Sequence, residues 1–253
     1  MKKKEFEDKM RSFEVFHGLK AYPNCWTILR LDGRSFSRLT EARFEKPFDT
    51  KFYELMLQTT ERVLDETRGI YAYTESDEIS ILFPKDYSFF DREVEKLVSI
   101  SASIASVNFS LAFGEPAIFD SRLLTIPQDA DVADYFSWRQ KDSARNCLNG
   151  WAYWLLRKEG KSSHAATKII DKQGNEFKNE LLFQRGINFN NLPLWQRRGV
   201  DVCYETYEKT GFNPKTGQSV QAIRKRKKIN SELPMKDEYH KYIIELLKAN
   251  TPE

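Results

Sequence analysis

Three acidic side chains stand where a folded sheet would bring them together. Asp32 follows directly after the apolar run 26–31, which is typical of a buried strand. Asp77 and Glu78 lie in the segment 74–78, which joins two further apolar runs and predicts the bend of a hairpin. Neighbouring strands of a sheet lie about 4.8 Å apart. If the first strand pairs with the hairpin, the three carboxylates converge at one edge of the sheet.

Carboxylates that converge repel one another, and the protein must offset that repulsion. Two ionised carboxylates about 4 Å apart repel by roughly 4 kcal/mol at an effective dielectric constant near 20. A bound cation or a raised pKa relieves that repulsion. Oxygen ligands suit Mg²⁺, with phosphates and waters in its remaining positions, so we hypothesise a two-metal site for phosphoryl or nucleotidyl transfer. The alternative, in which Asp32 caps a loop while Asp77 and Glu78 are solvated turn residues, stays open here.

Basic residues give a second chemical signal. Lys46 lies on the loop that follows the Asp32 turn, where it is placed either to contact a triphosphate or to be a solvated loop lysine. Further along, a basic run at 224–228 follows a strand-like segment, and three arginines flank Phe189 and Trp195. Basic residues interleaved with aromatic rings suit RNA, although a basic run is also typical of a solvated edge. The predicted RNA contacts are Arg185, Arg197, Arg198, Arg224, Lys225, Arg226, Lys227 and Lys228.

The elements that must position the acids follow a recognisable order over residues 24–126. Helical spacing of apolar residues at 52–63 predicts one helix, closed by Gly69, and the segment 88–91 matches a capping box that opens a second. Together with the strands, this gives β-α-β-β-α-β, the ferredoxin-like order. We therefore predict an α+β fold with one antiparallel sheet, both helices on one face, in a catalytic domain at 1–130.

An appended α/β region is predicted at 131–253, with helices and a hairpin packed on the first domain and available to bind RNA. Apolar residues indicate a helix that ends at Gly160, with a break near Asn146 or Gly150 left open. The remaining signals predict strands at 181–183, 200–207 and 219–224, the last two linked by a turn at 213–217.

Composition excludes several classes of protein. The 253 residues are 40% hydrophobic and 30% charged, which is unlike a disordered chain. Forty basic against 37 acidic residues leave +3, so any nucleic-acid site depends on local clusters. Three scattered cysteines and three scattered histidines encode neither a disulfide framework nor a zinc site. This cysteine usage leads us to expect a cytoplasmic protein. We expect no membrane partner, because no run of about 18 apolar residues is uninterrupted.

Five segments resemble the tRNA-His guanylyltransferase family, in motif and in order. They are Arg-Leu-Asp-Gly-Arg-Ser-Phe-Ser at 30–37, Phe-Glu-Lys-Pro-Phe-Asp at 44–49, Thr-Glu-Ser-Asp-Glu-Ile-Ser at 74–80, Phe-Asp-Ser-Arg at 119–122 and Tyr-Phe-Ser-Trp-Arg-Gln at 135–140. The resemblance implies a palm like that of ordinary polymerases, run in reverse to add a nucleotide to the 5′ end of a tRNA. ATP or GTP would activate the 5′ end, the 3′-hydroxyl of the incoming nucleotide would attack, and a homotetramer would be the assembly.

Residue by residue, the resemblance implies that Asp32, the Gly33 carbonyl and Asp77 bind two Mg²⁺ ions, with Glu78 supporting them. It also implies that ATP and GTP contact a set of residues around these acids, with Lys46 on a phosphate. That set is Asp32, Gly33, Arg34, Ser35, Phe36, Ser37, Lys46, Ser76 and Asp77.

One position departs from the eukaryotic pattern. Where eukaryotic members carry a histidine associated with tRNA-His recognition, this chain has Ala144. The sequence therefore resembles the bacterial and archaeal guanylyltransferase-like subgroup, which implies templated repair of 5′-truncated tRNA. Non-templated guanylate addition to tRNA-His is the alternative. Two others remain: a palm-type nucleotide cyclase, although no Gly-Gly-Asp-Glu-Phe hairpin is present, and a non-catalytic RNA-binding protein.

Overall fold

A six-stranded antiparallel sheet lies at the centre of the computed structural model, which describes residues 3–212, 217 and 219–250. The strands are β1 (Trp26–Gly33), β2 (Tyr71–Glu75), β3 (Glu78–Phe83), β4 (Phe119–Ile126), β5 (Val200–Phe212) and β6 (Ser219–Asn230). Their order across the sheet is β4-β1-β3-β2-β5-β6. The first strand therefore lies beside the β2–β3 hairpin, as the prediction about the acids requires.

Helices cover both faces of this sheet. Within the described residues they are α1 (Lys3–Arg11), α2 (Phe36–Arg43), α3 (Thr50–Thr67), α4 (Val94–Phe113), α5 (Asp129–Lys158), α6 (Ser163–Ile170), α7 (Asn175–Phe183), α8 (Leu194–Arg198) and α9 (Asp237–Ala249). Helices α3 and α4 pack on one face, against side chains such as Leu29, Leu31 and Ile81. Helices α5 and α9 pack on the other, where Trp26 and Phe136 are fully buried.

The predicted β-α-β-β-α-β order is confirmed as β1-α3-β2-β3-α4-β4, with α2 added between β1 and α3. The Asp49 carboxylate starts α3 by accepting hydrogen bonds from the Lys51 and Phe52 amides. Met56, Val63 and Leu64 then recur on the buried face of the helix. In β1, successive side chains point to opposite faces of the sheet. Leu29 and Leu31 therefore face α3 and α4, while Trp26 and Ile28 face α5.

Two predicted helix ends differ from the structure. Arg68, not Gly69, adopts the left-handed conformation that closes α3. Gly69 is required for a different reason, since a Cβ there would lie 2.4 Å from the Ile81 side chain. The capping box at 88–91 does not form either. Ser88 makes no side-chain cap, residues Phe89–Arg92 form a 3₁₀ turn, and α4 begins at Val94.

The region after β4 is more helical than predicted. Helix α5 runs through 30 residues without the break left open near Asn146 or Gly150. Gly150 lies inside the helix and does not end it, and a Cβ added there would lie at an ordinary contact distance of 3.9 Å from the Pro47 side chain. The predicted strand at 181–183 is wrong, because these residues close α7. Three apolar residues are too few to distinguish a strand from a helix turn.

Strand β5 joins the C-terminal region to the palm sheet. Residues 200–203 pair with β2, and the rest of β5 pairs only with β6 as a two-stranded arm. The predicted strands are thus present and longer than expected, while the predicted turn at 213–217 lies outside the described residues apart from Gly217. Helix α4 is long and apolar enough to cross a membrane by length and composition alone, but in this fold it packs on α3, β1 and β4.

Candidate active site

Four carboxylates lie in one row across four strands. Asp32 on β1 is directly opposite Glu78 on β3 and Asp120 on β4. Glu78 is in turn directly opposite Glu75 on β2. Residues directly opposite in an antiparallel pair share a face, and like charges at such positions destabilise the pairing. The row therefore places strong negative charge at one end of the sheet, on the face that α5 covers.

Asp77 is brought to this row by the hairpin turn. Ser76 and Asp77 form the two-residue connection between β2 and β3, and Ser76 takes the left-handed conformation at φ 49°. The Gly33 N–H donates to the Asp77 carbonyl oxygen at 3.1 Å, which ties the turn to the end of β1. Burial, together with repulsion from Asp32, raises the pKa of Asp77 to about 6. The structure thus brings Asp32, Gly33 and Asp77 together, as predicted.

Glu78 has a different environment. The Arg139 guanidinium binds it through two parallel hydrogen bonds, Nε to Oε1 at 2.7 Å and Nη2 to Oε2 at 2.6 Å. The same Nη2 lies 3.3 Å from Glu75 Oε1. Burial raises the pKa of Glu78, and the hydrogen bonds from Arg139 oppose this. Glu75 is more deeply buried, and burial with repulsion from Glu78 raises its pKa to about 8.

The segment after Asp32 turns sharply into α2. Gly33 is needed there because a Cβ would lie 2.4 Å from the Phe36 ring, which is buried against the palm core. Ser35 precedes the helix in the left-handed conformation at φ 62°, and Arg34 and Ser37 are exposed. The first N–H groups of a helix have no partner within it and favour anions. This turn is therefore compatible with the nucleotide contacts predicted for residues 33–37.

A cavity of about 400 Å³ opens beside the acids, between α2, α3, α5 and the hairpin turn. Five of the predicted nucleotide contacts line it: Phe36, Ser37, Lys46, Ser76 and Asp77. The other four, Asp32, Gly33, Arg34 and Ser35, are not part of its lining. The predicted set is thus divided between the cavity lining and the segment 32–35, which precedes α2.

Lys46 projects into this cavity. Its ammonium donates to Thr40 Oγ1 at 2.5 Å and lies 5.7 Å from the centre of the Trp154 ring. Burial lowers the pKa of Lys46, while the negative charges of Glu41 and Asp77 oppose that shift. A half-buried ammonium that contacts no carboxylate of the described residues is suited to bind an anionic ligand such as a phosphate.

The donor set at the acid pair fits a hard cation. Within residues 3–212, 217 and 219–250, no three His, Cys, Asp or Glu side chains form a complete metal cage. Asp32, Asp77 and the nearby Gly33 carbonyl supply oxygen ligands only, which suits Mg²⁺ and not zinc. Burial and repulsion from Asp32 both raise the pKa of Asp77, and a bound cation would favour its ionised form. These residues therefore fit Mg²⁺ that completes its coordination with ligand oxygens.

The predicted RNA contacts have separate fates. Arg197 is only 8% exposed and donates to the Leu192 carbonyl, so it is not available at the surface to contact RNA. Arg198 is half-buried and donates to the Leu233 carbonyl, and Arg185 pairs with Glu159. The remaining five lie on the exposed arm formed by β5 and β6: Arg224, Lys225, Arg226, Lys227 and Lys228.

Alternation divides the arm residues between two faces. Lys227 points to α3, where it contacts Asp65 at 3.0 Å and Glu61 at 3.1 Å. Arg226 and Lys228 share Glu205 on the opposite face. Of the five predicted cations on β6, Arg224 and Lys225 have no ion pair among the described residues, so these two are the most available to a polyanion.

Sequence reasoning missed two parts of the site. Arg139 lies within the recognised segment 135–140, but its partners are more than 60 residues away along the chain, so only the tertiary structure shows its contacts. The aromatic lining of the cavity was also missed, although Tyr53 stacks on Trp195 with ring centres 4.5 Å apart. The one sequence signal for this lining is the i, i+4 spacing of Gly150 and Trp154 on α5, and this spacing resembles ordinary core periodicity.

A second, larger cavity of about 1300 Å³ lies between α5, α7 and the start of α9. Ala144 and Arg145 are part of its lining. The position at which this chain departs from the eukaryotic pattern thus faces a solvent-filled space, away from the acids.

The comparisons with known proteins agree with this geometry. Residues 7–127 match the family model described as tRNAHis guanylyltransferase, and residues 130–245 match that of the Thg1 C terminal domain. A probable tRNA(His) guanylyltransferase of Drosophila melanogaster is 35% identical over 203 residues, which is 76% of this chain and 70% of the relative.

Two solved structures of a bacterial tRNA(HIS) guanylyltransferase (Thg1)-like protein share the fold at 27% identity. The complex with ATP has a TM-score of 0.75 over 95% of this chain and 98% of the other. The complex with GTP has a TM-score of 0.72 over 96% and 99%. With both family models matched in order and the acid pair in place, the chain belongs to the tRNA(His) guanylyltransferase family, nucleotidyltransferases that act on tRNA.

Proposed function

We propose that this chain adds nucleotides in the 3′–5′ direction to the 5′ end of tRNA, as a templated repair of 5′-truncated tRNA, with ATP or GTP activating the 5′ end. The observation that carries the proposal is the convergence of Asp32 and Asp77 at the edge of a cavity that holds the Lys46 ammonium. Acids for a metal and a cation for phosphates are the components that nucleotidyl transfer requires.

Asp32, Asp77 and the Gly33 carbonyl would hold two Mg²⁺ ions, which when bound supply charge stabilisation at the transferring phosphoryl group. Lys46 binds a phosphate of the nucleoside triphosphate. The aromatic side chains of the cavity, among them Tyr53, Trp154 and Trp195, give the base an apolar surface on which to stack. The similar bacterial protein has been solved with ATP and with GTP, which supports a triphosphate in this cavity.

Ala144 supports the templated reaction over one restricted to tRNA-His. The residue is a methyl group on the wall of the larger cavity and offers no hydrogen bond to a base. Base pairing with the opposite strand of the acceptor stem would then select the nucleotide. The alternative, non-templated guanylate addition specific for tRNA-His, takes its support from the family name.

The proposal extends to the assembly and its location. A palm at 1–130 and a tRNA-binding region at 131–253 would form each subunit of a homotetramer. Exposed apolar side chains in the N-terminal segment support self-association, among them Phe13 at 67%, Val15 at 73% and Phe16 at 66% exposure. The three cysteines are free, which suits the cytoplasm.

The test combines purified protein, ATP, labelled GTP, Mg²⁺ and a 5′-truncated tRNA. Templated repair predicts addition of the nucleotide that pairs with the opposite strand, and loss of addition in Asp32→Ala and Asp77→Ala. Equal incorporation of matched and mismatched nucleotides contradicts templating, and incorporation restricted to tRNA-His favours the alternative. Product formed from GTP without RNA identifies a cyclase. Binding of tRNA that is indifferent to Mg²⁺ and to Asp77→Ala, with no incorporation, identifies a non-catalytic RNA-binding protein.

A further inference from the structure

A buried ion-pair network lies behind the turn that carries Asp77. Glu75 and Glu78 are opposite each other at the ends of β2 and β3, with side chains only 5% and 13% exposed. The Arg139 side chain, 8% exposed, is inserted between them from α5. Its fourth contact is Asp142 Oδ2, 3.2 Å from Nη1. Three carboxylates therefore surround one guanidinium in the protein interior.

The geometry of the guanidinium is fixed from several directions. Its two parallel bonds to Glu78 define a plane, and the Trp138 ring lies 4.5 Å from its carbon atom. A buried fork-to-fork pair of this kind gives directional bonds that a lysine ammonium does not reproduce. Since Glu75 and Glu78 directly flank Ser76 and Asp77, Arg139 holds both ends of the two-residue turn.

From these contacts we infer that Arg139 is a positioning residue for Asp77, and that Glu78 acts through Arg139 and not as a ligand of the metal. The inference rests on the proposed function and deepens it. Glu78 is opposite Asp32 on the neighbouring strand, so a free carboxylate there would compete for the same cation. With Glu78 paired to Arg139, and Asp120 paired to Arg122, Asp32 and Asp77 are left as the two carboxylates that face the site. The same guanidinium offsets the repulsion between Glu75 on β2 and Glu78 on β3, which makes these buried like charges tolerable.

Three matched variants separate the roles. Arg139→Lys keeps the charge but removes the forked bonds, Glu78→Gln removes a charge but keeps an oxygen that accepts from Arg139, and Asp77→Asn removes a proposed metal ligand. Two quantities are measured for each: the Mg²⁺ concentration that gives half-maximal nucleotide addition, and the rise in melting temperature that Mg²⁺ causes when ATP is present. The second readout does not depend on turnover.

We expect Asp77→Asn and Arg139→Lys to raise the Mg²⁺ requirement by about tenfold or more, the effect typical of residues that orient metal ligands, and to reduce the Mg²⁺-dependent thermal shift. Glu78→Gln should stay within about threefold of the wild type. The inference is overturned if Arg139→Lys leaves the Mg²⁺ dependence unchanged. It is also overturned if Glu78→Gln loses Mg²⁺ as severely as Asp77→Asn, since Glu78 would then be a ligand.

Separate controls distinguish a folding defect, and a failure of the proposed function, from a failure of this inference. If Arg139→Lys does not fold, the variant Arg139→Met/Glu75→Gln/Glu78→Gln removes the forked bonds without leaving a buried charge unpaired, because Asp142 keeps its ion pair with Arg145. This variant should show the same raised Mg²⁺ requirement. An unchanged requirement in that variant also contradicts the inference. If the wild type adds no nucleotide to tRNA, the proposed function fails, while the thermal-shift comparison with ATP and Mg²⁺ still decides the role of Arg139.

Discussion

The Gly33 amide donates a 3.1 Å hydrogen bond to the Asp77 carbonyl oxygen, and through this bond the end of β1 and the hairpin turn hold each other in place. The two residues are 44 positions apart in the chain. Asp32, which precedes Gly33, therefore has a fixed relation to Asp77. A ligand that binds both carboxylates finds them already assembled, so binding costs little conformational entropy.

The first prediction concerns the charge on Asp77. Burial and Asp32 raise its pKa to about 6 in the folded protein, above the usual value of 3.8. The unfolded state releases the proton more easily, so the free energy of unfolding falls as the pH rises from about 4 to 6. In Asp77→Asn this loss is absent. Without Mg²⁺ at pH 8 the variant should melt a few degrees above the wild type, although nucleotide addition falls by about 100-fold or more.

Melting curves from pH 4 to 8 check this expectation, with Asp86→Asn as the matched control. Asp86 is an exposed acid outside the site, so its substitution should change neither the melting temperature nor the rate. A lower melting temperature of Asp77→Asn at pH 8 would show that the Asp77 carboxylate stabilises the protein, against the expectation.

The second prediction concerns Asp201, a fully buried acid at the start of β5. Tyr242 donates to its Oδ2 at 2.8 Å, while Oδ1 has no partner among the described residues. Burial raises the pKa of Asp201 to about 7. The wild type should lose stability as the pH rises from about 4 to 7, by up to a few kcal/mol, because the folded state holds a proton that the unfolded state has released.

Asp201→Asn keeps the acceptor for Tyr242 and cannot ionise. Its free energy of unfolding, measured with urea, should therefore be less dependent on pH and should exceed that of the wild type at pH 8. Equal pH dependence in the two proteins would assign the effect to other groups. Tyr242→Phe, which removes the donor, should raise the pH dependence further.

The third prediction concerns Lys46. Lys46→Met removes the ammonium from the cavity and should raise the KM for the nucleoside triphosphate about tenfold or more, since a hydrogen bond to a charged group contributes about 1.5–3 kcal/mol. Lys51→Met is the control, because Lys51 is exposed on α3 and outside the cavity lining. Titration of each variant with ATP gives the comparison. An unchanged KM in Lys46→Met would place the phosphates elsewhere.

The fourth prediction concerns the arm of β5 and β6. Arg224→Ala/Lys225→Ala removes two unpaired cations and should weaken tRNA binding with a smaller salt dependence, by about one unit of slope for each phosphate that the variant no longer neutralises. Lys227→Ala is the informative comparison, since Lys227 is paired with Glu61 and Asp65. It should lower the stability of the arm and leave the salt slope unchanged. Filter binding from low to high salt measures both.

The order of elements in the palm could be predicted because each has a strong local pattern. Alternation in β1 and the helical repeat of α3 depend on which face is buried, and both were visible in the residue types. The predicted strand at 181–183 failed because three apolar residues fit a strand and a helix turn equally well, and the packing of α7 on α5 decides for the helix. The end of α3 failed because Arg68 takes the left-handed conformation that usually belongs to glycine.

Within the site, the acids were predictable and their partners were not. Asp32 and Asp77 stand at recognisable ends of strands, and sheet geometry requires such ends to meet. Arg139 and Glu78 come from elements 61 residues apart, so their pairing depends on how α5 lies across the sheet. Arg197 shows the converse error, because a charged residue beside aromatic rings was assigned to the surface and is buried under Phe189.

The unbroken α5 has a consequence for changes in chain length. Arg139 and Trp154 lie 15 residues apart on this helix, about 22 Å along its axis, where Arg139 binds the acids beside the hairpin turn and Trp154 lines the cavity. One inserted residue between them would rotate one against the other by about 100°. The hairpin turn that carries Asp77 and the cavity wall at Trp154 thus depend on the same helical spacing. The segment between Arg139 and Trp154 therefore tolerates substitution far better than insertion or deletion.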